Sequence, residues 1–429
     1  MRYIIRKMNS IKKVYKKYGF TNTFKYALNV IFHTQFPIFA SQRIRKRIRN
    51  IGEVSLVWYR NFQEIPNFPI NAQEGKVNLV LDTMFKEKAN NNIENSIIIA
   101  TEFARREQRV LRIITREDRV YPKYYRETLK KYNVALYNNV IFYSDFDRDI
   151  TGKKKYKIDI SENDLFIATS LKTAVAVKKT SIRKNFFFIL QDIEPACFSY
   201  GEDYYEGLNI YHDPNVQYIV NNKQLYNYLT ENNLDLGSRC IYTELRCESE
   251  IGNRQQESDK RKTLFLYADE KRESTIYHKA LYYIDLAIQN GIIDMNQWKV
   301  ITLKENKKKY DFSNGTNLMK IEKFRMWQFL KEIDLLVTFQ PVPCLDSVVQ
   351  ESLRQNKAVV MNKGIFDGVS NSNLFCVKMQ DNDVLEGMQQ AIQKAEDSAD
   401  TQKNITRDGY SYKDSIEKLI SFMEEKIDV

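Results

Sequence analysis

Histidine is nearly missing from this chain of 429 residues. His33, His212 and His278 are all it has, and no two share a spacing that would bring them to one helix face or one loop. A zinc hydrolase or another histidine-built metal centre is disfavoured, because such sites need several imidazoles converging on one point. Cysteine is sparse too: Cys197, Cys240, Cys247, Cys344 and Cys376 are odd in number and dispersed, with no Cys-x-x-Cys pair. They read as the reduced thiols of a cytosolic protein. The 14 glycines form neither a Gly-x-Gly-x-x-Gly turn nor a P-loop, which disfavours dinucleotide oxidoreductases and P-loop kinases. Long apolar runs are missing as well. The richest, Tyr26 to Ala40, is broken by Asn29, His33, Gln35 and Pro37, so no membrane span is expected, and the N-terminus lacks the apolar core of a signal peptide.

Acid is absent from the first 50 residues, which hold 13 Lys/Arg and no Asp or Glu. Taking those 13 from the 66 basic residues of the whole chain leaves 53 against 55 acidic, so the formal charge of +11 is an N-terminal feature. A general polyanion-binding surface gains no support, and no nucleic-acid partner is expected. Ile4, Met8, Ile11, Tyr15 and Tyr18 recur at helical spacing, with Arg2, Arg6, Lys12, Lys13, Lys16 and Lys17 around the other face. A second basic cluster, Arg43, Arg45, Lys46, Arg47 and Arg49, is interleaved with Ile44, Ile48 and Ile51. This pattern fits an anionic membrane surface bound through residues 1–51, where each basic residue is worth ~1 kcal/mol. A solvated helix docked on its own domain is the other reading.

From Lys76 onward short β-rich runs alternate with helical patterns, the signature of parallel sheets. Strands are predicted at Val77–Leu81, Val110–Thr115, Val140–Tyr143, Leu165–Ala168, Phe186–Leu190 and Tyr218–Val220, with a helix over Ile97–Gln108. The polar stretch Glu248–Lys262 reads as a linker. Beyond it strands are predicted at Leu264–Tyr267, Trp298–Leu303, Leu335–Phe339 and Ala358–Met361, with helices over Tyr277–Ile288, Arg325–Ile333 and Leu345–Arg354. The fold class is therefore α/β, as two Rossmann-like domains (76–250 and 261–429) facing a central cleft, behind a basic amphipathic extension (1–75). Ligands of open α/β sheets bind outside the carboxyl ends of strands, so the chemistry belongs in that cleft.

Two segments carry candidate chemistry. Asp145, Asp147 and Asp149 follow a strand, where paired acids can hold a cation against a diphosphate or simply make a turn. FFFILQDIEPACFSYGEDYYEG (186–207) places Gln191, Asp192 and Glu194 at the end of a fully apolar strand, the expected place of a site loop; a cap for the next helix is the alternative.

The QDIEP segment with Gly201 and Tyr204 resembles the Gln-Asp-x-Glu-Pro…Gly-x-x-Tyr block of the WsaF-type bacterial rhamnosyltransferases, and DLFIATSLKTA (164–174) is similar to their Asp-x-Phe-x-Ala-Thr-x-x-x-Thr-Ala element. In the second half, Met319-Lys320-Ile321 stands in the place of a Gly-Lys-Leu element. PVPCLDSVVQESLRQNKAVVMNK (341–363) stands in that of the Pro-rich loop, acidic helix and following strand. The resemblance runs from about residue 76 to 395. It implies a GT-B glycosyltransferase, needing no cofactor or metal, that moves rhamnose or a related hexose from a dTDP-rhamnose-type nucleotide donor to a surface polysaccharide or lipid-linked glycan. Such an enzyme is expected in the cytoplasm, peripheral on the inner face of the plasma membrane. The resemblance implies that Asp192 or Glu194 takes the acceptor proton, with Gln191 and Tyr204 on the acceptor-side loop, and that Lys320 and Glu351 bind the donor.

The chain departs from that pattern in three places. Asn91-Asn92-Ile93 replaces a Gly-Gly-Ile turn, Pro343 replaces an acid eight residues before Glu351, and Asp269 replaces an arginine. Lys271 and Arg272 lie close enough to Asp269 to substitute for that arginine. A catalytically inactive, transferase-like partner or glycan-binding protein is the alternative these departures favour.

Overall fold

The computed structural model describes residues 64–84, 91–145, 157–180, 184–190, 194, 201–220, 223–231, 237–243, 261–268, 276–304, 310–322, 326–340, 347–363, 371–397 and 412–427. The basic segment up to residue 63 lies outside the described residues, as do Gln191, Asp192, Asp269, Lys271 and Arg272.

The first unit is built on a seven-stranded sheet. It contains β2 (Val77–Leu81), β3 (Leu111–Thr115), β4 (Val140–Ser144), β6 (Leu165–Ala168), β7 (Phe186–Leu190), β8 (Val216–Val220) and β9 (Cys240–Tyr242), in the order β4-β3-β2-β6-β7-β8-β9. Every pairing is parallel. The runs are apolar throughout because both faces are covered. Val77, Leu79, Leu81, Phe187 and Ile189 pack on one side with helices α1 (Asn91–Arg106) and α2 (Pro122–Lys131). Val80, Phe186, Phe188 and Leu190 pack on the other with α3 (Leu171–Lys178), α4 (Glu202–Tyr211) and α5 (Lys223–Glu231). A two-stranded parallel sheet, β1 (Asn67–Ile70) with β5 (Ile158–Ser161), completes that second layer. Residues 67–70, expected in the N-terminal extension, thus belong to the first unit. Arg112, 1% exposed, fastens the layers by donating to the Asp159 carbonyl at 2.8 Å and to its carboxylate at 2.9 Å.

The second unit has a six-stranded parallel sheet in the order β12-β11-β10-β13-β14-β15. Its strands are β10 (Lys262–Leu266), β11 (Trp298–Leu303), β12 (Met319–Ile321), β13 (Leu335–Thr338), β14 (Ala358–Asn362) and β15 (Leu374–Val377). Helices α6 (Tyr277–Gln289) and α9 (Asp381–Asp397) cover one face, and α7 (Met326–Phe329) with α8 (Ser347–Arg354) the other. The helix predicted over Arg325–Ile333 is a single turn among the described residues, since residues 331–333 leave helical geometry before β13.

The last helix, α10 (Tyr412–Ile427), departs from the expected division. Ile416, Leu419, Ile420 and Met423 pack in the core of the first unit, and Glu417 and Glu424 accept ion pairs from Arg106 at 2.7 and 2.6 Å. The apolar stripe of this helix is buried against α1, in the first unit.

Candidate active site

Both sheets are doubly wound, and in each the strand order reverses once: between β2 and β6 in the first, between β10 and β13 in the second. Helices leave a doubly wound sheet to opposite faces at such a point, which opens a crevice outside the strand ends.

At the first crevice β2 runs into Asp82, Thr83 and Met84, and β6 into Thr169 and Ser170. Ser170 caps α3 through a reciprocal box: its hydroxyl accepts from the Thr173 N–H, and Thr173 Oγ1 accepts from the Ser170 N–H. Thr169 Oγ1 donates to the Val80 carbonyl at 3.0 Å, sewing the two strand ends together. The turn after β3 is laid against β2 by Arg116 N–H to Leu81 O at 3.0 Å and Glu117 N–H to Asp82 O at 2.8 Å. Thr83 Oγ1 donates to the Asp118 carboxylate. A rigid backbone floor results. On it, the partly buried Asp82 carboxyl lies close to Ser170, Glu117, Lys172 and Arg116. Burial of this carboxyl penalises its charged form and holds it above the usual carboxylate value, further raised by Glu117 and only partly offset by Ser170, Lys172 and Arg116.

Glu194, a candidate proton acceptor, stands at the same crevice. Its Oε2 accepts the Leu171 N–H at 2.6 Å, so it caps α3, the helix before it in the chain and not the one after. Tyr204 is half-buried in α4, its ring edge-on to Tyr205 at 5.5 Å. Of the acidic run, Asp145 is buried and its carboxylate lies 3.3 Å from Arg116 Nε. That ion pair joins the carboxyl ends of β3 and β4. Among the described residues no group of His, Cys, Asp or Glu is placed to hold a metal ion.

At the second crevice the described residues that flank segments 269–275 and 341–346 are pinned. β10 leads through Tyr267 and Ala268 into the segment carrying Lys271 and Arg272, which returns at Ile276, whose N–H donates to Phe339 O at 3.0 Å. Past β13, the Gln340 backbone exchanges two hydrogen bonds with the Asn362 side chain, at 2.9 and 2.8 Å, holding the start of loop 341–346 to the end of β14. Lys320 does not reach this crevice directly. It lies on the edge strand β12, two strands away, roughly 10 Å at ~4.8 Å per strand. Its ammonium sits 4.8 Å from the centre of the Tyr310 ring, which in turn meets the Tyr277 ring edge-on at 6.5 Å. Glu351, in α8, accepts from Gln355 Nε2 at 2.7 Å and lies 3.5 Å from Arg354 Nη1. Both partners are about one turn further along the helix, so the carboxylate is engaged away from the N-terminal end that faces the crevice.

Sequence reasoning passed over Asp82. An acid after a strand looks like any turn residue, and only the strand order reveals that this one follows the strand at the reversal.

No family model matches the chain, and no curated protein matches it in sequence. Solved structures do match in fold. A TarM variant from S. aureus, in complex with fondaparinux, alpha-GlcNAc-glycerol and UDP, is 9% identical, with 81% of this chain and 99% of that one covered and a TM-score of 0.53. HepE from Anabaena, in complex with UDP, is 11% identical over 82% of this chain and 100% of its own, with a TM-score of 0.50. The chain has the two-domain GT-B fold.

Proposed function

We propose that this protein is a glycosyltransferase that moves a sugar from a nucleoside diphosphate donor to a glycan acceptor. The observation that carries the reading is the pair of doubly wound parallel sheets, each with its own pinned crevice at a strand-order reversal. Its support is the likeness in fold to TarM and HepE, both solved with UDP. One crevice serves a nucleotide and the other an acceptor. Lys271 and Arg272, in the segment pinned at Ala268 and Ile276, are the cations proposed to meet the diphosphate, with Lys320 on the edge strand β12 adding positive charge from further away. Such contacts count because negative charge grows on the diphosphate as the sugar–oxygen bond breaks. Glu351 is proposed to bind ribose or sugar hydroxyls once released from Arg354 and Gln355. Gln191, Asp192 and Tyr204 belong to the acceptor side, where a carboxylate takes the hydroxyl proton as the new bond forms.

The finer reading follows the family resemblance: a dTDP-rhamnose-type donor, a surface polysaccharide or lipid-linked acceptor, and attachment to the inner face of the plasma membrane through residues 1–51. A binding protein without transferase activity is the reading that Asp269 favours, since a carboxylate repels a diphosphate. Incubation of the full chain with dTDP-rhamnose, UDP-glucose and UDP-N-acetylglucosamine, plus glycan extracted from bacterial membranes, separates the two. Release of nucleoside diphosphate together with sugar incorporation is the transferase result. Nucleotide or glycan binding without release is that of the binding protein.

A further inference from the structure

We infer that Asp82 is the catalytic base of the transfer proposed above: its carboxylate takes the proton of the acceptor hydroxyl at the crevice between β2 and β6. The inference rests on the transferase reading and adds to it a residue that the sequence motifs do not single out. In the step, the acceptor oxygen forms its bond to the anomeric carbon of the sugar. The bond from that carbon to the diphosphate oxygen breaks, the nucleoside diphosphate leaves with the electron pair, and the hydroxyl proton passes to Asp82.

Three observations point to Asp82 over Glu194. The first is place: Asp82 immediately follows the strand at which the sheet order reverses, where ligands of doubly wound sheets bind. The second is commitment. Glu194 spends Oε2 on the Leu171 N–H at 2.6 Å, adding to the Ser170–Thr173 box at the start of α3, so its role is to position the helix end. The third is support. The Asp82 backbone carbonyl accepts the Glu117 N–H at 2.8 Å, so the residue is held between the end of β2 and the turn after β3, with Ser170 of the α3 cap close to its carboxyl. A fixed position is what a proton acceptor needs.

Its chemistry agrees. A base works best when its affinity for a proton lies near the working pH, and burial raises that of Asp82 above the ordinary carboxylate value. The charged groups facing it are Glu117 and Arg116 from the turn after β3 and Lys172 from α3. The acid raises its proton affinity further and the two cations lower it. Because the folded state binds this proton more tightly than the unfolded chain, its contribution to stability is present at acid pH and is lost as pH rises through the raised value. Above that value the ionised carboxylate destabilises the fold.

The test uses the full chain and two variants, Asp82→Asn and Asp82→Glu, with three readouts. Nucleoside diphosphate release in the donor panel above should fall about 10²- to 10⁴-fold for Asp82→Asn, the range of general base catalysis, and partly recover in Asp82→Glu. Calorimetric affinity for UDP and dTDP should be unchanged in both. The melting temperature of Asp82→Asn should exceed that of the parent at pH 7.5, the gap closing towards pH 4. Turnover by Asp82→Asn within threefold of the parent, or a melting difference that does not change with pH, overturns the role of Asp82. Failure of the parent chain to bind or turn over any nucleotide in the panel overturns the transferase reading instead.

Discussion

Replacing Glu194 by alanine separates a cap from a base. The carboxylate accepts the N–H of Leu171, the first residue of α3. A hydrogen bond to a charged group is worth ~1.5–3 kcal/mol where no replacement is available. Leu171 itself is buried, but Glu194 is partly exposed, so truncating it lets water reach the orphaned N–H, and the Ser170–Thr173 box still caps the helix. The loss should then fall in the range of cap removals, about 1 kcal/mol. Glu194→Gln keeps an acceptor and loses only the favourable meeting of a negative charge with the helix N-terminus, ~0.3–1 kcal/mol. For a domain of this size 1 kcal/mol corresponds to ~2–4 °C. Differential scanning calorimetry of the full chain should show the first unit melting about 2–4 °C lower in Glu194→Ala and by a smaller amount in Glu194→Gln. Turnover should fall no more than about tenfold in either. An unchanged melting temperature combined with a loss of turnover of 10³-fold or more in both variants would refute the capping role and return Glu194 to the place of the base.

Gly75→Ala should destabilise the first unit by at least ~1–3 kcal/mol, read as a lower urea midpoint, because the added Cβ would lie 1.7 Å from the Asn163 carbonyl oxygen and the turn backbone between β5 and β6 would have to move. At Asp159 partial burial favours the neutral form, but the Lys76 hydrogen bond and the Arg112 charge outweigh it and hold the carboxyl below its usual value. The stability this supplies is present above about pH 4 and is lost as pH falls through the lowered value. Asp159→Asn should therefore be less stable than the parent at pH 7, by ~1–3 kcal/mol between the cost of an exposed and a buried pair, with the gap narrowing as pH falls below about 4. In calorimetric titration with UDP and dTDP, the Lys271→Ala/Arg272→Ala double variant should bind at least tenfold more weakly than the parent, from the loss of one or two charge-assisted contacts. Lys320→Ala should also weaken binding, but less, since its ammonium rests on Tyr310 away from the crevice. The intact chain should sediment with vesicles containing anionic lipid and be released as salt rises, since exposed charges are screened over ~8 Å at physiological ionic strength; sedimentation insensitive to salt, or none, would count against attachment through residues 1–51.

The strands that build the two units were legible where both faces are buried. Val77–Leu81, Leu165–Ala168, Phe186–Leu190 and Trp298–Leu303 have the bounds read from their apolar runs. The ones that escaped, Asn67–Ile70, Ile158–Ser161, Cys240–Tyr242, Met319–Ile321 and Leu374–Val377, are only three or four residues long and lie at sheet edges, too short for a pattern to stand out from loops. The C-terminal helix was missed for another reason: its apolar stripe has a partner more than 300 residues earlier in the chain, at Arg106 and its neighbours. The site followed the same division. The QDIEP segment was visible as chemistry at a strand end, but the partner of Glu194 lies 23 residues upstream, at Leu171. Similarly, Asp164, Thr169 and Thr173 of the DLFIATSLKTA motif prove to be fold-builders. Asp164 receives the Lys76 N–H at 2.7 Å, and the two threonines tie β6 to β2 and cap α3. Asp82 carries no motif at all, and its position depends wholly on the order in which strands are laid down.

Nucleotide binding tests the central claim most directly, because every role assigned to the second crevice presumes a diphosphate there. Isothermal titration of the full chain with UDP, dTDP, GDP and ADP, each alongside its monophosphate, should show one saturable site for at least one diphosphate. That site should bind the matching monophosphate at least tenfold more weakly, since the distal phosphate is the group the loop cations meet. Absence of heat with all four diphosphates, or equal affinity for a diphosphate and its monophosphate, would contradict the account.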